Sequence, residues 1–246
     1  MLKGKTVLIT GSNRGIGYSI LETFSKNGAN IIACLREPNS KLENEFKNIS
    51  KKYNNDIKIF CFDLNNENEV LKGSQEILNL NQNIDVLVNN AGINNVALFQ
   101  MTPIKKIREV FEINLFSHMV LTQKIVKNMI KNKKGSIINI SSNAATECDV
   151  GRSAYASSKS ALISFTKVLS KELGPYNIRT NAIAPGLTNT NMMDKDISKR
   201  IIEETIKKIP LKRPGTPEEI SNVALFLASD LSSYINGETI YVTGGY

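Results

Sequence analysis

Seven short runs rich in β-branched residues recur along the 246-residue chain, at 5–10, 30–35, 57–62, 84–88, 136–141, 178–184 and 238–242. Longer amphipathic stretches separate them, at 15–27, 39–53, 67–80, 103–131, 153–173 and 216–229. Strands that read as continuous apolar runs are covered on both faces, and strand–helix alternation demands crossover connections. The pattern therefore predicts one α/β domain over 1–246, a doubly wound (Rossmann-type) seven-stranded parallel sheet with helices on both faces. No repeat and no Pro/Gly/Ser-rich linker divides the chain. Thr102-Pro103 and Thr216-Pro217 each read as an N-cap followed by proline at the first helical position, and Glu219 completes a capping box in the second. The connection 187–215 is longer than most and contains "SKRIIEETIKKI", with helical spacing. It reads as a substrate lid or as a packed surface helix.

Composition narrows the function classes. No apolar run approaches the ~18 residues of a membrane span, and the N-terminal apolar stretch is too short for a secretory signal, so a cytoplasmic protein is expected. Cys34, Cys61 and Cys148 are widely spaced, without a C-x-x-C pair, which gives no support to a disulfide framework or a metal site. Cys34 and Cys61 fall in strand-like runs and are expected in the core. The net charge of +8 suggests an acidic partner. Lysines are dispersed, apart from Lys131, Lys133 and Lys134 at the end of a helix, where they also complement its dipole. Without stacking aromatics or a reading motif, nucleic acid is not the expected partner. His118 is the only histidine and has no triad companions, so it reads as a packed or half-exposed helix residue.

Directly after the first strand stands "TGSNRGIG", Thr10–Gly17. Gly11 suits a tight turn, Gly15 a close approach of backbone to a pyrophosphate, and Gly17 the packing of helix on sheet, with the phosphates at a helix N-terminus. The second strand ends in Leu35, Arg36 and Glu37. An acid at this position binds a ribose hydroxyl, whereas arginine accommodates a 2′-phosphate, so Arg36 with Arg14 favours the phosphorylated dinucleotide. Farther on, "YASSK" sets Tyr155 and Lys159 one helical turn apart on one face. An ammonium close to a phenol favours its ionised form, which makes tyrosine serviceable in proton transfer near neutral pH.

Together these residues resemble the short-chain dehydrogenase/reductases, most closely the bacterial-type 3-oxoacyl-[acyl-carrier-protein] reductases. The resemblance spans the chain and rests on "TGSNRGIG" (10–17), Asp63 in "CFDL", "NNAG" (89–92), Asn114 in "EINL", "ISS" (140–142), "YASSK" (155–159), "NAIAPG" (181–186) with Thr190, and "FLASDLSSYINGETIYVTGG" (226–245). It implies reduction of a 3-oxoacyl group on acyl carrier protein, in fatty acid synthesis, by NADPH. Tyr155 would give its proton to the carbonyl oxygen as hydride arrives, Lys159 would lower the phenol pKa and hold the nicotinamide ribose, and Ser142, rather than Ser141, would position the carbonyl. Asn114 would hold a water that links Lys159 to solvent. The same register gives NADP(H) the residues Gly11, Ser12, Asn13, Arg14, Gly15, Ile16, Gly17, Arg36, Asp63, Asn89, Ala91, Gly92, Tyr155, Lys159, Pro185, Gly186 and Thr190, with Asp63 at the adenine, Asn89 and Gly92 on the adenosine side and Thr190 at the nicotinamide amide. It also implies a homotetramer built from 103–131, 153–173 and the C-terminal strand region, and a carrier docking on Lys131, Lys133 and Lys134. Two departures point elsewhere. Tyr176 stands where the family offers a basic docking residue, and "ECDVGRSAY" places Cys148, Asp149 and Arg152 near the substrate entrance, which suits a smaller or more polar substrate; the alternative is a short-chain reductase of a sugar, polyol or secondary metabolite. A fold retained without catalysis, for cofactor sensing or nucleic-acid binding, is the reading from outside the enzyme class.

Overall fold

The computed structural model describes residues 1–190, 192–193 and 199–246, with the side chain of Lys199 set aside. Its elements follow in the order β1 (Thr6–Thr10), α1 (Gly15–Lys26), β2 (Asn30–Leu35), α2 (Ser40–Tyr53), β3 (Ile57–Cys61), α3 (Glu67–Leu78), β4 (Val86–Asn89), α4 (Ile104–Phe111), α5 (Ser117–Asn132), β5 (Gly135–Ile140), a one-turn α6 (Ala144–Glu147), α7 (Ser153–Leu173), β6 (Ile178–Pro185), α8 (Lys199–Lys208), α9 (Pro217–Ala228) and β7 (Thr239–Val242). All seven expected strands are present, in one parallel sheet of order β3-β2-β1-β4-β5-β6-β7.

Strand periodicity sorts the core into two layers. Val7, Ile9, Ile31, Ala33 and Leu35 pack with Leu21 and Phe24 of α1 and with Ile220, Ala224 and Leu227 of α9. The alternate residues Leu8, Ile32, Cys34 and Leu87 face Val70 and Ile77 of α3 and Leu121, Ile125 and Met129 of α5. Every residue of β1, β4 and β5 is buried, as expected of strands with both faces covered. The chain leaves β1 toward β2 on one side and β4 toward β5 on the other, so the loops that follow β1 and β4 diverge and open a crevice at the carboxyl edge of the sheet.

Several local expectations need correction. The stretch 103–131 is interrupted by a π-helical turn, Glu112–Phe116, between α4 and α5. Pro103, not Thr102, occupies the N-cap of α4. Its extended ψ of 140° defers the helix to Ile104, and the Thr102 hydroxyl donates to the Leu98 carbonyl instead. The capping box at Thr216 and Glu219 forms as the sequence indicates. Cys34 is buried, but Cys61 is exposed because β3 is the outermost strand and has a neighbour on one side only. His118 is wholly buried. No described helix is long and apolar enough to cross a membrane.

Candidate active site

A cavity of about 660 Å³ occupies the carboxyl edge, walled by the loops after β1, β2, β3, β4, β5 and β6 and by one face of α8. Its floor at one end is the glycine turn. Gly11 bends the chain at φ +68°, and a Cβ at Gly17 would collide with the Gly11 carbonyl oxygen and the Asn90 side chain. Only glycine lets the first turn of α1 sit this close to the loop. Asn90 braces the arrangement, its Nδ2 donating to the carbonyls of Thr10 (2.9 Å) and Gly11 (3.1 Å), while Thr10 Oγ1 accepts from the backbone N–H groups of Asn90 and Ala91. Arg14 is the N-cap of α1; no side chain caps this helix and no acid stands in its first turn, which leaves its N-terminus suited to an anion.

Gly11, Asn13, Arg14, Gly15, Ile16 and Gly17 all line this end, with Arg36 and Asp63 beside them. Arg36 Nη2 lies 3.1 Å from Asp63 Oδ2, so the carboxylate that meets this guanidinium is Asp63 rather than the adjacent Glu37, which is exposed and does not line the cavity. The Arg36 side chain is 76% exposed, and an ion pair this open is worth about 0–1 kcal/mol. A phosphate dianion outcompetes it. The uncapped helix end, the glycine cradle and two cations thus fit a phosphorylated dinucleotide. Arg36→Ala is expected to weaken NADPH binding by about tenfold or more while leaving NADH nearly unchanged, measured as KM for each cofactor. A wild-type preference for NADH would contradict this assignment.

Farther along, Ser142, Tyr155 and Lys159 converge on the cavity wall, nearly buried at 7%, 9% and 3% exposure. Tyr155 and Lys159 lie in the first turns of α7, and Lys159 Nζ is 6.0 Å from the Tyr155 ring centroid. The ammonium donates to the Ile140 carbonyl at 2.8 Å, and burial pulls its pKa down to about 8. Ser141 and Ser142 both line the cavity, but the Ser141 hydroxyl is committed to the Lys159 carbonyl at 2.9 Å, whereas Ser142 Oγ accepts from Ala144 N and keeps its own proton to donate. Ala91 and Gly92 after β4, and Pro185, Gly186 and Thr190 at the end of β6 and beyond it, also line the cavity.

Three expected site residues stand off the cavity. Asn114, fully buried in the π-helical turn, lies behind its wall. Its Oδ1 accepts from Ile93 N (2.8 Å), and its Nδ2 donates to Ile93 O (3.0 Å) and Ser158 Oγ (3.1 Å); Ser158 in turn donates to the Tyr155 carbonyl. A Cβ placed on Gly92 would lie 3.1 Å from Asn114 Oδ1 and 3.3 Å from Lys159 Nζ, so these two groups approach the same point on the chain. The Asn89 amide turns into the core between β4 and α5, donating to Thr122 Oγ1 and Asn139 Oδ1, and Asn139 passes a further bond to Thr166. The neighbour Asn90 lines the cavity. Ser12 is fully buried, with its hydroxyl toward the Cys34 carbonyl. Of the entrance residues, Asp149 and Arg152 line the cavity and Cys148 does not.

Sequence reasoning marked 187–215 as a lid or a packed surface helix but named none of the α8 residues that reach the site. Ile201, Glu204, Thr205 and Lys208 form one stripe at helical spacing and face the cavity, joined by Met192, Met193 and Tyr246. The spacing was visible, but amphipathicity does not reveal what a helix face covers. The lysine cluster is also misplaced relative to the site. Lys133 and Lys134 precede β5, whose other end, Ile140, reaches the cavity, so five strand steps, about 16 Å, intervene. Among the described residues no group of three potential ligands is placed to hold a metal.

The family profile described as "Enoyl-(Acyl carrier protein) reductase" matches residues 11–246. A protein of Aquifex aeolicus named 3-oxoacyl-[acyl-carrier-protein] reductase FabG is 41% identical, over 99% of this chain and 98% of its own. The chain belongs to the short-chain dehydrogenase/reductase family. Another 3-oxoacyl-[acyl-carrier-protein] reductase FabG, from Chlamydia muridarum, is 38% identical over 100% of this chain and 98% of its own. Among solved structures, one from Beutenbergia cavernae superposes with a TM-score of 0.90 at 30% identity, covering 99% of this chain and 97% of the other. It is described as an NAD(P) dependent gluconate 5-dehydrogenase with bound NADP at low occupancy. The doubly wound parallel sheet expected from the strand rhythm is the fold observed, and the family is the one that the motifs resemble.

Proposed function

We propose that this member of the family is an NADPH-dependent reductase of 3-oxoacyl groups carried on acyl carrier protein, working in fatty acid synthesis in the cytoplasm. The observation that carries the reading is the full-length identity with proteins named for that reaction, in a chain that brings Ser142, Tyr155 and Lys159 together at one cavity. Gly11, Asn13, Arg14, Gly15, Ile16, Gly17, Arg36 and Asp63 would hold the adenosine and pyrophosphate half of NADPH, and Ala91, Gly92, Tyr155, Lys159, Pro185, Gly186 and Thr190 the nicotinamide half. When bound, NADPH supplies the hydride.

The chain's own groups do the rest. The hydroxyls of Ser142 and Tyr155 bind the oxygen of the carbonyl being reduced, and Tyr155 passes it a proton. Lys159 keeps a positive charge beside the phenol in a setting with little water to screen it. Asn114, fixed through Ile93 and Ser158, sets the backbone on which Gly92 and Tyr155 sit and lies where a water could resupply Lys159. The walls formed by Val96, Met192, Met193 and Ile201 give an acyl chain an apolar surface and exclude water from the reaction. The segment 187–215 acts as the cover of this single domain; of it, residues 191 and 194–198 lie outside the described residues.

The test is the specificity constant for acetoacetyl-carrier protein, its coenzyme A analogue and a panel of keto sugars. The carrier-bound substrate is expected to be preferred about tenfold at low salt, and less as salt screens the basic surface. Better reduction of a keto sugar would replace the acyl reading and keep the reductase.

A homotetramer belongs to the same proposal. Phe99, Met101, Ile104, Phe116 and Met119 are exposed along α4, α5 and the turn before them, and Val168, Leu231, Tyr234 and Tyr241 on α7 and the C-terminal region. Exposed apolar groups on those elements suit association with further copies. Lys131, Lys133 and Lys134 lie far from the cavity of their own chain, so a carrier docked on them would serve a neighbouring protomer. Light scattering is expected to give four times the chain mass at micromolar concentration; a stable monomer would contradict the assembly.

A further inference from the structure

At the cofactor end of the cavity the cation Arg36 has a carboxylate partner, but at the substrate end two cations have none. Arg152 immediately precedes α7, three residues before Tyr155, and is half-buried in the cavity wall. Its guanidinium makes no ion pair or hydrogen bond among the described residues. Lys208 ends the α8 stripe that faces the same space, and it too has no ion pair among the described residues. The two acids nearby do not neutralise them. Glu204 is taken by Arg200, Nε to Oε1 at 2.9 Å, and Asp149 is exposed and joins Arg152 only through a backbone bond, the Arg152 N–H to the Asp149 carbonyl. A guanidinium that lines a cavity without a protein acceptor keeps its donors available to an anion. Its planar donor fork matches the paired oxygens of a phosphate or carboxylate.

We propose that Arg152 and Lys208 form an anion subsite at the substrate end of the cavity, which grips a phosphate or carboxylate of the substrate at a distance from the carbonyl that is reduced. This rests on the reductase reading and deepens it. Two sources supply such an anion: the phosphate of a pantetheine arm that carries a thioester, or a carboxylate on a small keto acid. The first makes the subsite the anchor of a carrier arm that enters past α8. The second makes it the specificity determinant of an acid reductase. In both, the grip fixes how far the carbonyl reaches toward Ser142 and Tyr155.

Matched pairs of substrates separate these cases at saturating NADPH. Acetoacetyl-pantetheine is compared with acetoacetyl-4′-phosphopantetheine, and a keto acid with its methyl ester. In the wild type the anionic member of one pair is expected to have the lower KM, by about tenfold or more. Arg152→Met and Lys208→Met should erase that advantage with kcat changed less than about twofold, leave the neutral member unaffected, and Arg152→Lys should restore part of it. The pair that shows the effect identifies the source. Binding is read independently of turnover from the thermal shift that inorganic phosphate gives to the NADP-saturated protein, expected in the wild type and lost in the Arg152→Met, Lys208→Met double variant. The subsite is overturned if neutral and anionic substrates suffer equally, if the wild type distinguishes neither pair, or if phosphate shifts wild type and double variant alike. Failure to reduce even the neutral thioester and ester would instead count against the reductase reading, and the thermal shift would still decide the subsite.

Discussion

Tyr155→Phe should cost at least about 10³-fold in kcat while NADPH affinity and stability stay close to wild type. The ring fills its nearly buried place in the first turn of α7 either way, and only the hydroxyl is lost. Loss of that one donor removes an interaction that matters as charge builds on the carbonyl oxygen, so the effect belongs in kcat and not in cofactor KM. Ser142 remains as a hydrogen-bond donor but, with an ordinary hydroxyl pKa, does not replace the phenol as an acid. Steady-state rates beside a cofactor fluorescence titration separate the two quantities. Activity in Tyr155→Phe within about tenfold of wild type would remove the tyrosine from the proton-transfer role.

Lys159→Met should abolish turnover as completely and yet make the cofactor-free protein more stable at neutral pH. Burial lowers the Lys159 pKa from 10.5 to about 8, which means the folded state disfavours the charged form. Between about pH 8 and pH 10.5 the unfolded chain holds the proton more tightly, so the stability of the wild type rises with pH across that window. Below about pH 8 both states are protonated and the folded state bears the whole penalty, about 3 kcal/mol. Methionine removes it, at the loss of the bond to the Ile140 carbonyl, worth about 1 kcal/mol. The net gain of about 2 kcal/mol corresponds to roughly 4–8 °C in Tm for a domain of this size. Melting of both proteins from pH 6.5 to 10.5 should show a gap that narrows as pH rises and changes sign near the top of the range. A constant gap, or a variant less stable than wild type below about pH 8, would show that Lys159 is not held under strain in the absence of cofactor.

The sheet was legible because its signal is redundant. Runs such as "TVLIT" and "SIINI" are buried on both faces, so each of their residues reports the same environment, and crossover helices between them leave little freedom of topology. Site residues fixed by chain geometry were legible for a similar reason: Tyr155 and Lys159 lie one turn apart wherever the helix goes. Residues whose meaning depends on a single peptide's direction were not. Asn89 and Asn90 are adjacent amides at the end of a strand, where successive side chains face opposite ways, and the sequence does not say which face meets the cavity. The π-helical turn around Asn114 has no compositional marker, since it is an adjustment of backbone hydrogen bonds. The position of Lys133 and Lys134 could have been read, because they precede a parallel strand and functional loops follow such strands. The charge pattern at 127–135 drew attention away from that topological fact.

The amide chain from Thr122 through Asn89 and Asn139 to Thr166 acts as a ruler for the sheet. Hydrophobic alternation alone tolerates a slip of β4 along β5 by two residues, because side chains return to the same face. Such a slip would part Asn89 from Asn139, which stand opposite each other across the two strands, and strand buried amides at about 1–3 kcal/mol apiece. Only one alignment brings the two amides together. Since β4 runs directly into the loop with Ala91 and Gly92, and β5 into Ser141 and Ser142, the same alignment sets the height of the cofactor wall against the serine that meets the carbonyl. Polar groups buried far from any ligand thereby determine the spacing at which the reaction partners meet.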